Sequence, residues 1–376
     1  MGTFSTGTIN ANFGQRPFSY TPPTGFVALN TFNLPTPTIL QGNKYMDATL
    51  YTQNGAASNV IVNAGQFKPD LVWIKCRSNA GTWNVLVDSV RGVSSTLATN
   101  STAAQDTFSV FSSFNSNGFT LPLGDSGTNN TAGRTQVAWQ WQAGQSSGSS
   151  NTSGTITSTV SVSTTAGFSV VTYTGTGANA TIGHGLGVAP AMIIIKRRNG
   201  VTDWATYHAS VGNTKALFLN RDIAADTGVS YWNNTSPTST LFTVGTGADV
   251  NPSSGTMVAY CWAEIAGFSK FGSYTGNGST DGPFVYLGFR PEFVMVKGNV
   301  AGVDWVISDS SRNTYNVVNG RLFPASANAE DTGDNWCDFL SNGFKIRSTN
   351  SNQNYNTYTF VYAAFAENPF KNSNAR

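Results

Sequence analysis

"FRPEFVMVK" (Phe289 to Lys297) reads as a buried strand entered through a proline, and the chain writes the same phrase twice before. "FKPDLVWIK" stands at Phe67 to Lys75 and "VAPAMIIIK" at Val188 to Lys196. In each, apolar residues follow the proline and a lysine closes the run six positions on. Positions +3 and +5 from the proline are β-branched: Val72 and Ile74, Ile193 and Ile195, Val294 and Val296. Positions +2 and +4 are apolar as well: Leu71 and Trp73, Met192 and Ile194, Phe293 and Met295. Successive side chains of a strand point to opposite faces, so this strand is covered on both.

Working outward, further landmarks recur in the same order. A Tyr-Thr pair precedes each proline at Tyr51, Tyr173 and Tyr274. A tryptophan lies eight residues beyond each closing lysine: Trp83, Trp204, Trp305. Then come Ala-x-Asp-Thr at Ala104, Ala224 and Ala329, and an aromatic strand start at Phe119, Phe242 and Phe344. Last is a closing strand, "VAWQWQA", "VAYCWAE" or "VYAAFAE", whose valine lies 68, 68 or 70 residues past its proline. Large residues share one face of this strand (Val137, Trp139, Trp141) and Ala138 sits on the other, as though a layer approaches closely there. A fixed order at a fixed period is the signature of a repeat.

The expected fold is therefore all-β: three tandem β-sandwich modules of about 100 residues, preceded by an extended N-terminal arm. The boundaries are 1–44 for the arm, 45–145 for module one, 166–266 for module two, 267–370 for module three and 371–376 for a tail. Residues 146–165 are rich in Ser, Thr and Gly and read as a linker that lets the first module hinge, with a possible strand in "TITSTVSVS". In the arm, prolines at 17, 22, 23, 35 and 37 interrupt regular strands. Its aromatics, Phe13, Phe18, Tyr20 and Phe26 among them, need a surface to lie on, which makes them the expected docking residues.

Composition narrows the function. Only 11% of the 376 residues are charged and 12% are aromatic, with polarity supplied by Asn, Ser, Thr and Gly. A net charge of +2 without a dense basic patch gives nucleic acid no electrostatic footprint. The best basic cluster, "IKRR" at Ile195 to Arg198, reads as a solvated strand end. "MGTFSTGTIN" lacks a signal peptide's basic and apolar regions, and no apolar run reaches membrane-spanning length. Three scattered cysteines form neither a disulfide framework nor a metal site, which suits synthesis in a reducing cytoplasm. No cofactor is expected.

Catalytic sets are sparse. His208 with Ser210 and Asp203 can be drawn as a nucleophilic group, but without a nucleophile-elbow context. Asp334 and Asp338 flank Trp336 as the best carboxylate pair for glycoside cleavage, with nothing to fix their separation. Glycan contact has better candidates. "SYWNNTSPTS" offers Tyr231, Trp232 and Asn233, and "DNWCD" offers Asn335 and Trp336, each an aromatic beside amide groups in a loop.

The wording of "NFGQRPFSYTPPTGFVALNTFNLPTPTI", "GHGLGVAPAMIIIK", "SKFGSYTGNGSTDGPFVYLGFRPEFVMVK" and "YAAFAENPFK" resembles a repeat family of tailed-bacteriophage virion and tail-fibre proteins. That family often places the repeats downstream of a SPRY-like, lectin-type domain, and "NFGQRPFSYTPPTGF" resembles the exit of that sandwich, the rest of which is missing here. The resemblance implies a structural virion protein, a tail fibre or surface appendage used in assembly and host adhesion. It implies other virion proteins as partners through the arm, a homotrimer by fibre analogy, a host surface glycan as possible ligand, and no catalytic residues. A glycan-binding receptor protein is the alternative reading, and a polysaccharide-degrading tailspike the second.

Overall fold

The computed structural model describes residues 11–12, 16–28, 33–34, 36–107, 110–122, 131–369 and 371. The first stretch of strands comprises β1 (Met46–Thr52), β2 (Ser58–Val62), β3 (Leu71–Cys76), β4 (Val85–Asp88), β5 (Leu97–Ala98), β6 (Ser113–Asn115), β7 (Gly118–Pro122) and β8 (Thr135–Trp141). The second comprises β9 (Ser149–Asn151), β10 (Ser158–Ser163), β11 (Phe168–Thr174), β12 (Ala180–Gly183), β13 (Met192–Arg197), β14 (Ala205–His208), β15 (Lys215–Phe218), β16 (Asp226–Thr227), a helical turn α1 (Val229–Trp232), β17 (Leu241–Val244) and β18 (Thr256–Trp262). The third comprises β19 (Ser269–Thr275), β20 (Phe284–Tyr286), β21 (Phe289–Gly298), β22 (Trp305–Asp309), β23 (Cys337–Leu340), β24 (Gly343–Ile346), α2 (Ser351–Asn354) and β25 (Thr359–Pro369). The chain is all-β, and its sheets are antiparallel and do not close into a barrel.

Three large sheets run β1-β8-β3-β4-β5, β16-β15-β14-β13-β18-β11-β10-β9 and β19-β25-β21-β22. Each is backed by a small one, β2-β7-β6, β12-β17 or β20-β24-β23, which gives a sandwich-like pair. The proline-entered strands β3, β13 and β21 lie inside their sheets, each between the closing strand and a short outer strand. That position explains their two apolar faces. Val72 and Ile74 point into a local core with Phe119, while Leu71 and Trp73 point the other way. Ile193 and Ile195 likewise meet Phe242, with Met192 and Ile194 opposite.

The opposite faces meet in one shared core. Trp141 lies 5.9 Å from Trp262, 5.6 Å from Phe293 and 5.7 Å from Phe365, ring centre to ring centre. The four rings come from all three large sheets, with Phe293 and Phe365 from the same one, so burial of one sheet depends on the other two. The first sheet pair is therefore packed rather than hinged. Residues 146–165 differ from the expected linker in the same way: β9 and β10 extend the second large sheet beside β11. The alternation of Ile156, Val160 and Val162 outweighs the flexible composition, because Ile156 and Val160 enter the local core.

The recurring tryptophans part company. Trp204 and Trp305 are buried, but Trp83 is 49% exposed. The ladder explains it: Lys297 pairs with Trp305, and the same register sets Lys196 beside Trp204 but Lys75 beside Asn84. The β3–β4 connection is one residue longer, so Asn84 takes the tryptophan's place and Trp83 is turned out.

Candidate functional site

The expected glycan-contact residues fold inward. Trp232 closes α1, is buried, donates from Nε1 to Lys215 O at 2.8 Å and meets the Tyr207 ring edge-on. Trp336 is buried and donates to Ser308 Oγ at 2.6 Å. Neither indole offers a face to a sugar, and the reading of Trp232 and Trp336 as contacts is corrected on that ground. Their neighbours serve local structure: Tyr231 donates to Asp226 at 2.6 Å, and Asn233 takes the left-handed cap position of α1 (φ 48°). Asn335 stays exposed.

The drawn catalytic sets are not assembled. His208 is buried, its Nε2 faces Tyr362 O at 3.1 Å and its Nδ1 accepts the Ser210 N–H at 3.2 Å. Burial pushes it down to about 4, so the imidazole is neutral near pH 7. Asp203 is engaged by Arg221 at 3.0 Å and Asn220 at 2.7 Å. Asp334 bonds Ser348 and Arg321, and Asp338 pairs with Arg347 at 2.6 Å. Among the described residues, no group of His, Cys, Asp and Glu is placed to hold a metal. No helix of the described residues is long and apolar enough to cross a membrane.

Polar chemistry is concentrated instead where the sheet pairs meet. Trp204 Nε1 donates to Ala98 O and Ser101 O, both at 3.1 Å, so the second pair reaches into the first. Trp305 Nε1 donates to Phe218 O at 2.8 Å, carrying the third into the second. Asn84, in the substituted position, donates to Pro324 O and Ser326 O at 2.9 Å, carrying the first into the third. The contacts run in one sense and close a ring.

A second set follows the same sense. Leu71, Met192 and Phe293 stand opposite Asp88, His208 and Asp309. Asp88 accepts from Tyr260 at 2.7 Å, and Asp309 accepts from Trp139 Nε1 at 3.0 Å. The third closing strand carries Ala363 at that place, and His208 reaches its backbone at Tyr362 O instead. Arg91 and Arg312, each three residues after their aspartate, pair with it at 2.5 and 2.7 Å with both partners fully buried. "DSVR" and "DSSR" are the sequence signal that sequence reasoning passed over.

The closing lysines belong here too. Lys196 is buried, not a solvated strand end: Nζ donates to Thr202 O at 2.6 Å and across to Thr102 O at 2.9 Å. Lys75 donates to Asn84 and across to Ser326 O at 2.8 Å, while Lys297 stays within its own loop at Gly298 O and Val303 O. Burial lowers all three to about 8.

Exposed aromatic rings stand at Trp83 and in the arm. Trp83 is the single exposed indole of nine, all of them described, and lines a groove with Gly81, Thr82, Asn100, Ser101 and Ala327. The Thr82 hydroxyl oxygen is buried there without a partner. In the arm, Phe18 is 40%, Tyr20 88% and Phe26 71% exposed, whereas Ile39 is buried in the shared core. Phe13 lies outside the described residues.

A family profile described as Domain of unknown function (DUF7483) matches residues 41–369. No curated protein and no solved structure matches the chain.

Proposed function

For a chain that belongs to the DUF7483 family, we propose a structural and adhesive role: three tandem β-sandwich modules locked around one core, serving as a surface component of a tailed-bacteriophage virion. A tail fibre or similar appendage is the expected location. The arm docks on another virion protein or a sister subunit. One observation carries the reading: buried ionic and hydrogen-bonding groups tie module to module, while Phe18, Tyr20 and Phe26 stand out in the arm. Such a body resists deformation and leaves the arm to make the attachment. Antibody raised against the modules should label purified particles at the tail or outer surface under electron microscopy. Uniformly unlabelled particles from a lysate containing the protein would refute the assignment.

Glycan recognition is the second reading, and it is centred on Trp83 because Trp232 and Trp336 are buried while Trp83 is exposed. An exposed indole face in an open groove lined also by Asn100 and Ser101 suits stacking of a sugar ring. Glycan arrays should show binding that Trp83→Ala abolishes and Trp232→Phe leaves unchanged. Binding insensitive to Trp83 removes this reading.

A further inference from the structure

The residue after each recurring proline differs: Asp70, Ala191 and Glu292. Asp70 of module one is a fully hydrogen-bonded carboxylate. It accepts from the Ala143 and Gln145 N–H groups at 2.7 and 2.8 Å, from Ser89 Oγ at 2.5 Å, and from Ser161 Oγ on β10 at 3.3 Å. Glu292 of β21 has no such set. The ladder with β25 shifts register on both sides of Pro291 and leaves Glu292 without a cross-strand partner, an irregularity of the kind that re-aims a side chain. Its Oε1 accepts the Ala48 N–H of β1 at 3.0 Å, a direct tie from module three to module one. Its Oε2 is buried with no hydrogen-bond partner, in a residue 4% exposed.

The charged groups around Glu292 are negative or already paired. On β1, Asp47 is buried and its Oδ2 accepts the Gly65 N–H at 3.1 Å. Lys44, just before that strand, gives its Nζ to Gly65 O at 2.9 Å instead. On β25, Glu367 holds Arg290 at 2.9 Å. At the end of β22, Asp309 holds Arg312 at 2.7 Å, and Arg312 also takes Glu330. Asp47 directly precedes the residue whose N–H Glu292 holds, so two buried carboxyl groups come together across a module boundary with no cation assigned to either. Keeping both ionised there is costly, and one retained proton removes the conflict between like charges.

We propose that Asp47 and Glu292 together retain one proton after ordinary carboxyl groups have lost theirs, and that this proton latches β1 of module one to β21 of module three. When the proton leaves to water, two anions face each other, and β1 draws away so that both are hydrated. Burial first, and the Asp47 charge second, raise Glu292 well above its ordinary value, and burial raises Asp47 as well, in the direction the latch requires. A hydrated carboxyl in the open form returns to about 4.3. Above that pH the closed form binds one proton more than the open form, so the closed-to-open ratio falls about tenfold per pH unit until the closed pair itself ionises. His208 and Lys75 run the opposite way. His208 is pushed down to about 4 and Lys75, which joins modules one and three through Ser326 O, to about 8, so both hold their contacts more tightly as pH rises. Asp70 is raised by burial and shares the sign of Glu292, but it acts at the contact with β10. The latch does not depend on the virion role.

The Ala48 amide is the reporter. Its exchange is followed by nuclear magnetic resonance in the full chain from pH 5 to pH 7, with intrinsic rates divided out. Protection of Ala48 should fall at least about tenfold over that window, while the β11 amides, covered by β10, hold theirs. In Glu292→Gln the side-chain carbonyl still accepts the Ala48 N–H, and protection should not vary with pH. Asp47→Asn removes the facing charge and should shrink the fall. In the unaltered chain, the carbon-13 shift of the Glu292 carboxyl should titrate well above the ordinary carboxylate range, which tests the latch even where a variant folds poorly. A Glu292 carboxyl that titrates near 4.3 overturns the proposal. So does Ala48 protection that stays flat, or a fall that persists in Glu292→Gln. An equal fall in the β11 amides also overturns it, by making the titration a property of the whole fold and not of this contact.

Discussion

Truncating the three repeat-position tryptophans one at a time should give two large effects and one small one. Trp305 is 1% exposed and Trp204 is fully buried, and each makes a hydrogen bond into the neighbouring sheet pair. A buried indole removes up to about 250 Å² from water, which at about 25 cal/mol per Å² is roughly 6 kcal/mol as an upper bound. The alanine that remains keeps part of that area, and the cavity left behind adds a penalty, so a loss of about 4 kcal/mol is expected for Trp305→Ala and Trp204→Ala. Trp83 already has about half its surface in water and sits in an open groove, so Trp83→Ala should cost less than about 2 kcal/mol. Urea unfolding with matched slopes measures all three. Equal losses for Trp83 and Trp305 would refute the argument that the longer β3–β4 connection has expelled the first indole and put Asn84 in its place.

Other expectations concern buried titratable groups. Burial first, and the Asp47 charge second, raise Glu292 well above the ordinary carboxylate range. The group favours the fold fully below its unfolded value near 4.3 and progressively less as pH climbs toward its folded value. Glu292→Gln should therefore melt higher than the wild type at pH 7, with the gap closing toward pH 4; a gap independent of pH contradicts this. His208, pushed down to about 4, behaves in the opposite sense: its contribution is complete above pH 6.5 and is lost as pH falls through 4. That amounts to roughly 3 kcal/mol over the window, so His208→Gln should flatten the acid limb of a melting-temperature profile. An unchanged acid limb would place the protonation elsewhere. Arg312→Ala leaves Asp309 buried beside Trp139 without its cation and should cost about 3–5 kcal/mol, read by the same unfolding assay. A loss below about 1 kcal/mol would mean that water reaches Asp309 and replaces the cation.

The strand pattern was legible from residues alone because it is local. Leu71 to Ile74 and their counterparts alternate with period two, and that alternation by itself says both faces are covered. All-β character and the strand starts at Phe119, Phe242 and Phe344 follow from the same short-range chemistry. What covers each face is not local. A tryptophan eight residues past a lysine looks alike three times, yet one extra residue in a connection decides which side chain enters the neighbour. The lysines look solvated in sequence because nothing nearby reveals that Thr102 O or Ser326 O will arrive from another sheet pair. Trp232 and Trp336 look like loop platforms because the cores that absorb them are assembled from strands far along the chain. Tertiary packing made those choices, since a buried donor must find its acceptor wherever the fold brings one.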